Sequence, residues 1–242
     1  MVSRFNFWGL LLVHLVGCGV TAQPAGPIPS AETIISRMIE ATAQRNLRLR
    51  PFKVVRRYQL FGKGLETTKS EVIARIAYVP PDVSHYTTQK VSGVGLGEVL
   101  VRKVLESERD VLTHRDASAF SPANYEFEFL REDILEDRSC YVLELRPRRK
   151  DSRLLRGTIW IDARSYLIRR VEGEPAKSPS WWARDIHIVL EFREVNGIWI
   201  QTALESTANI RLFGRHTMVA RDMTYEMDGS DATAFLDPKK SE

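Results

Sequence analysis

Cysteine is nearly missing from this sequence: there are two in 242 residues, Cys18 and Cys140. Cys18 lies just after an N-terminal apolar stretch and is expected to be removed or acylated. Cys140 then has no partner within the chain, and a disulfide framework is excluded. A lone cysteine on a strand is read as a small buried apolar residue. Metal and catalytic signatures are missing as well. The five histidines, His14, His85, His114, His187 and His216, fall in no His-Glu-x-x-His array and no paired ligand spacing. No Gly-x-Ser-x-Gly elbow occurs. Glu126, Glu128, Glu132, Asp133, Glu136 and Asp137 read as solvated faces rather than a catalytic pair. An excess of one charge is also absent: +4 overall, with a pI of about 9.1, is too mild to argue for nucleic acid. No repeat with a fixed period is present. These absences predict a protein that is not an enzyme, holds no metal or cofactor, and binds no nucleic acid.

Long hydrophobic runs are limited to one. Arg4 precedes an apolar stretch over 5–16, shorter than the roughly 20 residues a spanning helix needs. Val20-Thr21-Ala22 fits the small-residue rule for signal cleavage. Leu15-Val16-Gly17-Cys18 fits a lipobox, in which Cys18 would carry the lipid. The sequence supports both. Residues 1–22 are thus expected to be an export signal and 23–29 a Pro/Gly tether. The expected location is the bacterial periplasm or the periplasmic face of the outer membrane, anchored there if Cys18 is acylated.

What is present is a packed chain rich in short strands. At 43% apolar and 27% charged it can bury a core. The central block over 157–201 alternates runs of β-branched and aromatic residues with turn residues. Asn196-Gly197 between two such runs is a strong hairpin signal, because both residues tolerate positive φ. Ile186, Ile188, Leu190 and Phe192 alternate with His187, Val189, Glu191 and Arg193, so one face is covered and one wet. Consecutive hairpins of this kind predict an antiparallel meander. Ser30 is placed to cap a helix to about residue 46, with Ile34, Ile35, Met38 and Ile39 at helical spacing. Strands are expected over 52–61, 72–78 and 84–91. The period then changes over 98–110, where Val101, Val104, Leu105 and Leu112 form a stripe, with Leu100 and Val111 beside it, opposite Arg102, Lys103, Glu106 and Arg109: an amphipathic helix. Gly93, Gly95 and Gly97 before it lack the nucleotide-loop spacing and predict a flexible joint. Residues 125–129 fit either a strand or a short helical turn. Tyr141, Leu143 and Leu145 share one face of a strand over 140–146, and 146–156 is a basic hairpin loop. The last strands are expected over 202–213 and 217–227, joined at Gly214-Arg215-His216, with a polar tail from 229 to 242.

Two features carry alternatives. In the basic loop Arg146, Arg148, Arg149, Lys150, Arg153 and Arg156 face only Asp151. Such a loop suits contact with anionic head groups, but a charged tip that blocks edge pairing is favoured. Trp160 and Trp199 are expected to pack within strands. Trp181 and Trp182, in a link after Pro179-Ser180, fit either packing or the rim of a cavity.

The order of these elements, with the hairpin Gly-Thr-Ile-Trp-Ile-Asp…Tyr-Leu-Ile-Arg-Arg-Val-Glu-Gly and the run Asn196-Gly197-Ile198-Trp199-Ile200, resembles the outer-membrane lipoprotein-sorting proteins. These are the LolA/LolB-like periplasmic carriers, and the resemblance spans about 31–227. It implies a mainly β (α+β) fold: a curved, incompletely closed antiparallel barrel over 30–228, whose concave apolar face is covered by the N-terminal and mid-chain helices. It further implies that an acyl chain of a lipid or acylated lipoprotein displaces the cover. The expected cavity and lid residues are Leu100, Val101, Val104, Leu105, Tyr141, Leu143, Leu145, Trp181, Trp182, Ile188, Leu190 and Phe192. A monomer is expected. The alternative is a sensor or scaffold of the same fold that binds a partner protein without lipid cargo.

Overall fold

A computed structural model of the chain describes residues 28–62, 68–79, 83–93 and 96–227. The expected export signal with Cys18, most of the tether, Gly95 and the C-terminal tail lie outside the described residues. The elements are α1 (Ala31–Arg48), β1 (Phe52–Phe61), β2 (Thr68–Val79), β3 (Val83–Gly93), α2 (Leu96–Thr113), α3 (Arg115–Ser118), β4 (Tyr125–Leu135), β5 (Arg138–Pro147), β6 (Leu155–Asp162), β7 (Ile168–Pro175), β8 (Ala183–Val195), β9 (Ile198–Ile210) and β10 (Gly214–Met227).

The ten strands of the described residues form one antiparallel sheet in the order β3-β2-β1-β10-β9-β8-β7-β6-β5-β4. β3 and β4 are its edges and do not pair with each other, so the barrel is not closed. The sheet consists of a meander from each end of the chain, joined where β1 pairs with β10 from Phe52↔Met227 to Phe61↔Thr217.

Directly opposed residues on neighbouring antiparallel strands share a face. Following the registers from one edge to the other gives one row: Phe129, Leu143, Ile159, Val171, Leu190, Leu204, Ala220, Tyr58, Val72 and Val91. Every member is apolar or aromatic, and this is the face that both long helices cover. Ser30 caps α1 as expected, its hydroxyl accepting from the Thr33 N–H at 3.3 Å. Ile34, Ile35 and Met38 of α1 pack with Tyr141, Leu143, Leu145, Ile159 and Val171. Leu100, Val101 and Leu105 of α2 pack with Tyr58, Val72, Leu204 and Ala220.

The β6–β7 corner brings two backbones close together. Gly157 and Gly173 oppose each other there, in the row next to Leu145 and Ile188 on the covered face. A Cβ on Gly157 would stand 2.0 Å from the Glu172 carbonyl oxygen, and one on Gly173 2.2 Å from that of Arg156. Glycine at both positions lets the two backbones approach at the corner.

The Asn196-Gly197 hairpin forms as expected, with φ of 51° and 78°. Several elements differ from expectation. Residues 125–129 are a strand, which continues to Leu135 with a register shift between Phe129 and Arg131. The helix α2 runs further at both ends and is followed by the single turn α3. The alternation in β8 is interrupted by register shifts at Arg184/His187 and Glu191/Phe192. The β9–β10 turn is Arg211-Leu212-Phe213 rather than Gly214-Arg215-His216, because Leu212 itself takes the left-handed conformation, with φ 74°.

Candidate functional site

The covered face is the candidate site, and two adjoining clusters build it. Under α1, Leu143 and Leu145 are wholly buried and Tyr141 nearly so, while Ile188, Leu190 and Phe192 are partly buried against the same cluster. Under α2, Leu100, Val101 and Leu105 are buried, and Val104 and Trp182 are partly buried beside them. Leu190 packs against both clusters and marks the seam between them. Trp182 also carries Lys103 of α2 over its ring, 5.8 Å from the centroid. Trp181 belongs to neither cluster and is 75% exposed. Trp160 and Trp199 sit in strands, their ring N–H groups donating to the Asp133 carboxylate at 3.2 Å and the Ile168 carbonyl at 2.7 Å.

A buried ionic cluster ties α2 to this face, and the sequence reading missed it. Arg56 of β1 donates to Asp222 of β10 at 2.5 and 3.4 Å, and to both carboxylate oxygens of Glu108 on α2 at 3.1 and 3.2 Å. The Tyr225 hydroxyl adds a donation to Asp222 at 2.9 Å. Burial opposes the Arg56 charge, but Glu108 and Asp222 outweigh it and hold the guanidinium protonated. Burial pushes the Glu108 carboxyl above its ordinary range, against the pull of Arg56. The Tyr58 hydroxyl is buried beside them with no hydrogen-bond partner among the described residues, and burial then Glu108 raise its pKa. A signal for the cluster did exist. Arg56 continues the buried alternation Val54, Tyr58, Leu60; Asp222 follows Met218 and Ala220 at the same spacing. Glu108 stands one heptad after Val101, on the apolar stripe of α2 rather than its polar face. Each is a charge at a core position.

Four of the six cations of the basic loop have structural partners. Arg146 pairs with Glu128 and Glu144, both at 2.6 Å, and Arg148 with Glu126 at 2.9 Å. Arg149 donates to the Asn124 side chain at 2.6 Å, and Arg153 holds Asp151 at 2.8 Å and approaches Asp110 at the end of α2. The loop clamps the connection from α2 to β4, a role distinct from both sequence readings, and its partners include carboxylates that read as solvated. Cys140 is buried, and desolvation pushes its thiol up to about 11. Among the described residues no group of three or more His, Cys, Asp or Glu side chains is placed to hold a metal ion.

A protein-family model described as "Uncharacterized protein" matches residues 109–233, just over half of the chain. The chain belongs to that family. The matched segment runs from the last turn of α2 through all of β4–β10, so it takes in the whole α1-covered half of the site. No curated protein was found to match the chain. Several solved structures are similar in fold. A DUF1329 family protein from Desulfovibrio piger is 12% identical over 87% of this chain and 98% of its own, at a TM-score of 0.47. A putative outer membrane lipoprotein-sorting protein domain from Vibrio parahaemolyticus is 14% identical over 86% and 99%, at 0.44. A LolA superfamily protein from Nitrosomonas europaea is 12% identical over 87% and 99%, at 0.39. At these identities and TM-scores each is a general likeness of fold and nothing more.

Proposed function

We propose that this chain is a non-catalytic protein of the bacterial cell envelope that takes an acyl chain of a lipid or lipoprotein against its concave face, with α2 as the displaced cover. The observation that carries the reading is the apolar row running without a break across all ten strands under two separate helices. A soluble protein that covers such a face with detachable elements has a greasy surface to offer when they move. The two covers differ. The α1 side is filled by side chains at 0% exposure, including Ile34, Leu143, Leu145 and Val171. The α2 side rests on Leu100, Val101 and Leu105 and on the Arg56–Glu108 contact. Full burial of those three apolar side chains is worth about 5–9 kcal/mol, against about 10 kcal/mol for a palmitoyl-length chain at about 0.8 kcal/mol per CH₂. An acyl chain is therefore able to take the place of the helix.

Delipidated protein is expected to bind a fluorescent fatty acid saturably at one site, and Val104→Trp, which adds bulk to the underside of α2, to weaken that binding about tenfold. Binding no greater than that of an unrelated β protein overturns the reading. Recovery from the envelope with one stoichiometric protein partner and no lipid by mass spectrometry would favour the scaffold alternative.

A further inference from the structure

We propose that the β9–β10 turn and the β7–β8 link together form a docking tip for the surface of an anionic lipid bilayer. The site lies at one end of the sheet, joined to the α2-covered cluster through Trp182, and the inference stands whether or not the concave lining holds an acyl chain.

Three large apolar side chains protrude here. Leu212 is 94% exposed, Trp181 75% and Phe213 60%. Leu212 does so with φ at 74°, a conformation that glycine adopts freely and a branched apolar side chain adopts at a cost. Almost none of that side chain is buried, so no internal packing offsets the cost. Such an outlier points to a role outside the fold.

The tip is preformed. The Arg211 N–H donates to the Trp182 carbonyl at 2.8 Å, which binds the turn to the link, and the Arg211 guanidinium lies 5.5 Å from the centroid of the Trp181 ring. The Phe213 N–H closes the turn on the Ile210 carbonyl at 3.0 Å. Ser178 Oγ donates to the carbonyls of Ser180 and Ala183 at 2.7 and 3.1 Å, which stiffens the link.

The charge around it is one-sided. Across 176–185 and 209–215 stand Lys177, Arg184, Arg211 and Arg215, all exposed, against the single acid Asp185, which Asn209 holds at 2.7 Å. Apolar side chains at the point, an indole beside them and a rim of cations match the layers of a bilayer surface: acyl boundary, interface and anionic head groups. Three protruding side chains are too few for a stable protein interface, which needs about 800 Å² on each partner.

The test uses the full chain on vesicles with brominated acyl chains, which quench tryptophan on contact. The contribution of Trp181 is the emission lost in Trp181→Phe, so attachment through the N-terminal apolar stretch does not imitate the signal. Trp181 is expected to be quenched on vesicles rich in phosphatidylglycerol and much less on pure phosphatidylcholine. The double substitution Leu212→Asp with Phe213→Asp is expected to shift the lipid concentration for half-quenching up by about tenfold or more. Arg211→Glu with Arg215→Glu is expected to erase the preference for phosphatidylglycerol with the fold retained by circular dichroism. The proposal is overturned if Trp181 is unquenched on both vesicles, if it is quenched equally on both, or if a probe at position 213 cross-links to a protein while Trp181 stays unquenched.

Discussion

Asp162 turns the chain between β6 and β7 by accepting from the Arg164 and Ser165 N–H groups at 3.0 and 2.8 Å, with Arg169 at 3.6 Å. Burial raises this carboxyl, but the two N–H groups and Arg169 outweigh it and hold it below the ordinary aspartate range. A carboxyl depressed in the folded state stabilises above its unfolded value, near pH 4, and that stabilisation is lost as pH falls through the lower folded value. Asp162→Ala is therefore expected to cost about 2 kcal/mol at pH 7 and less near pH 2, read by urea denaturation at both. Cys140 gives the opposite kind of test: a buried thiol pushed up to about 11 is expected to resist thiol reagents at pH 8 until denaturant is added. Labelling of the native protein at the rate of free cysteine would contradict its burial. At this scale the sequence is informative where chemistry is local. Asn196-Gly197 takes its turn because both residues accept positive φ. Leu212 takes one against its preference, which no reading of residue types anticipates.

Among the elements, α2 is held by oil and by charge in separable amounts. Leu105→Ala is expected to destabilise by about 2–3 kcal/mol and to raise affinity for an acyl probe, since it weakens the helix that the probe displaces. The ionic cluster divides unequally. Asp222 grips Arg56 with both oxygens and its side chain is 2% exposed, whereas that of Glu108 is 24% exposed. Asp222→Asn leaves the buried guanidinium short of charge and is expected to cost about 3 kcal/mol. Glu108→Gln keeps a hydrogen bond to Arg56 and is expected to change stability at pH 7 by about 1 kcal/mol or less. Because the Glu108 pKa is raised in the folded state, its contribution is full below the ordinary carboxylate range and is lost as pH rises through the raised value. The glutamine variant is expected to lack that alkaline-side loss. The amphipathic stripe of α2 was legible because the period 3.6 is written in apolar residues. The α2–floor contact was not, since three charges at core positions reveal a partnership only once the strands are paired. The β9–β10 turn was misplaced by three residues: Gly214 does take a positive φ, 77°, but it already opens β10, and the turn residues are Arg211, Leu212 and Phe213.

For the whole molecule, curvature decides what the sheet can enclose. The opposed pair Gly157 and Gly173 permits the β6–β7 corner, so Gly173→Val is expected to push the strands apart, cost more than about 2 kcal/mol and expose apolar surface to a dye such as ANS. A variant with native stability and no added dye binding would show that the corner has room to spare. The meander of hairpins and the two covering helices could be read from the sequence because neighbours in the chain are neighbours in space. The pairing of β1 with β10 could not, since nothing near Phe52 points to Met227. That pairing also sets a timetable. A ribosome delivers β1–β3 early and β4–β9 afterwards, but β10, the strand between them, follows both, and a chain halted before residue 214 holds two half-sheets with raw edges. Completion waits for β10, and until then two sticky borders must be kept from other chains.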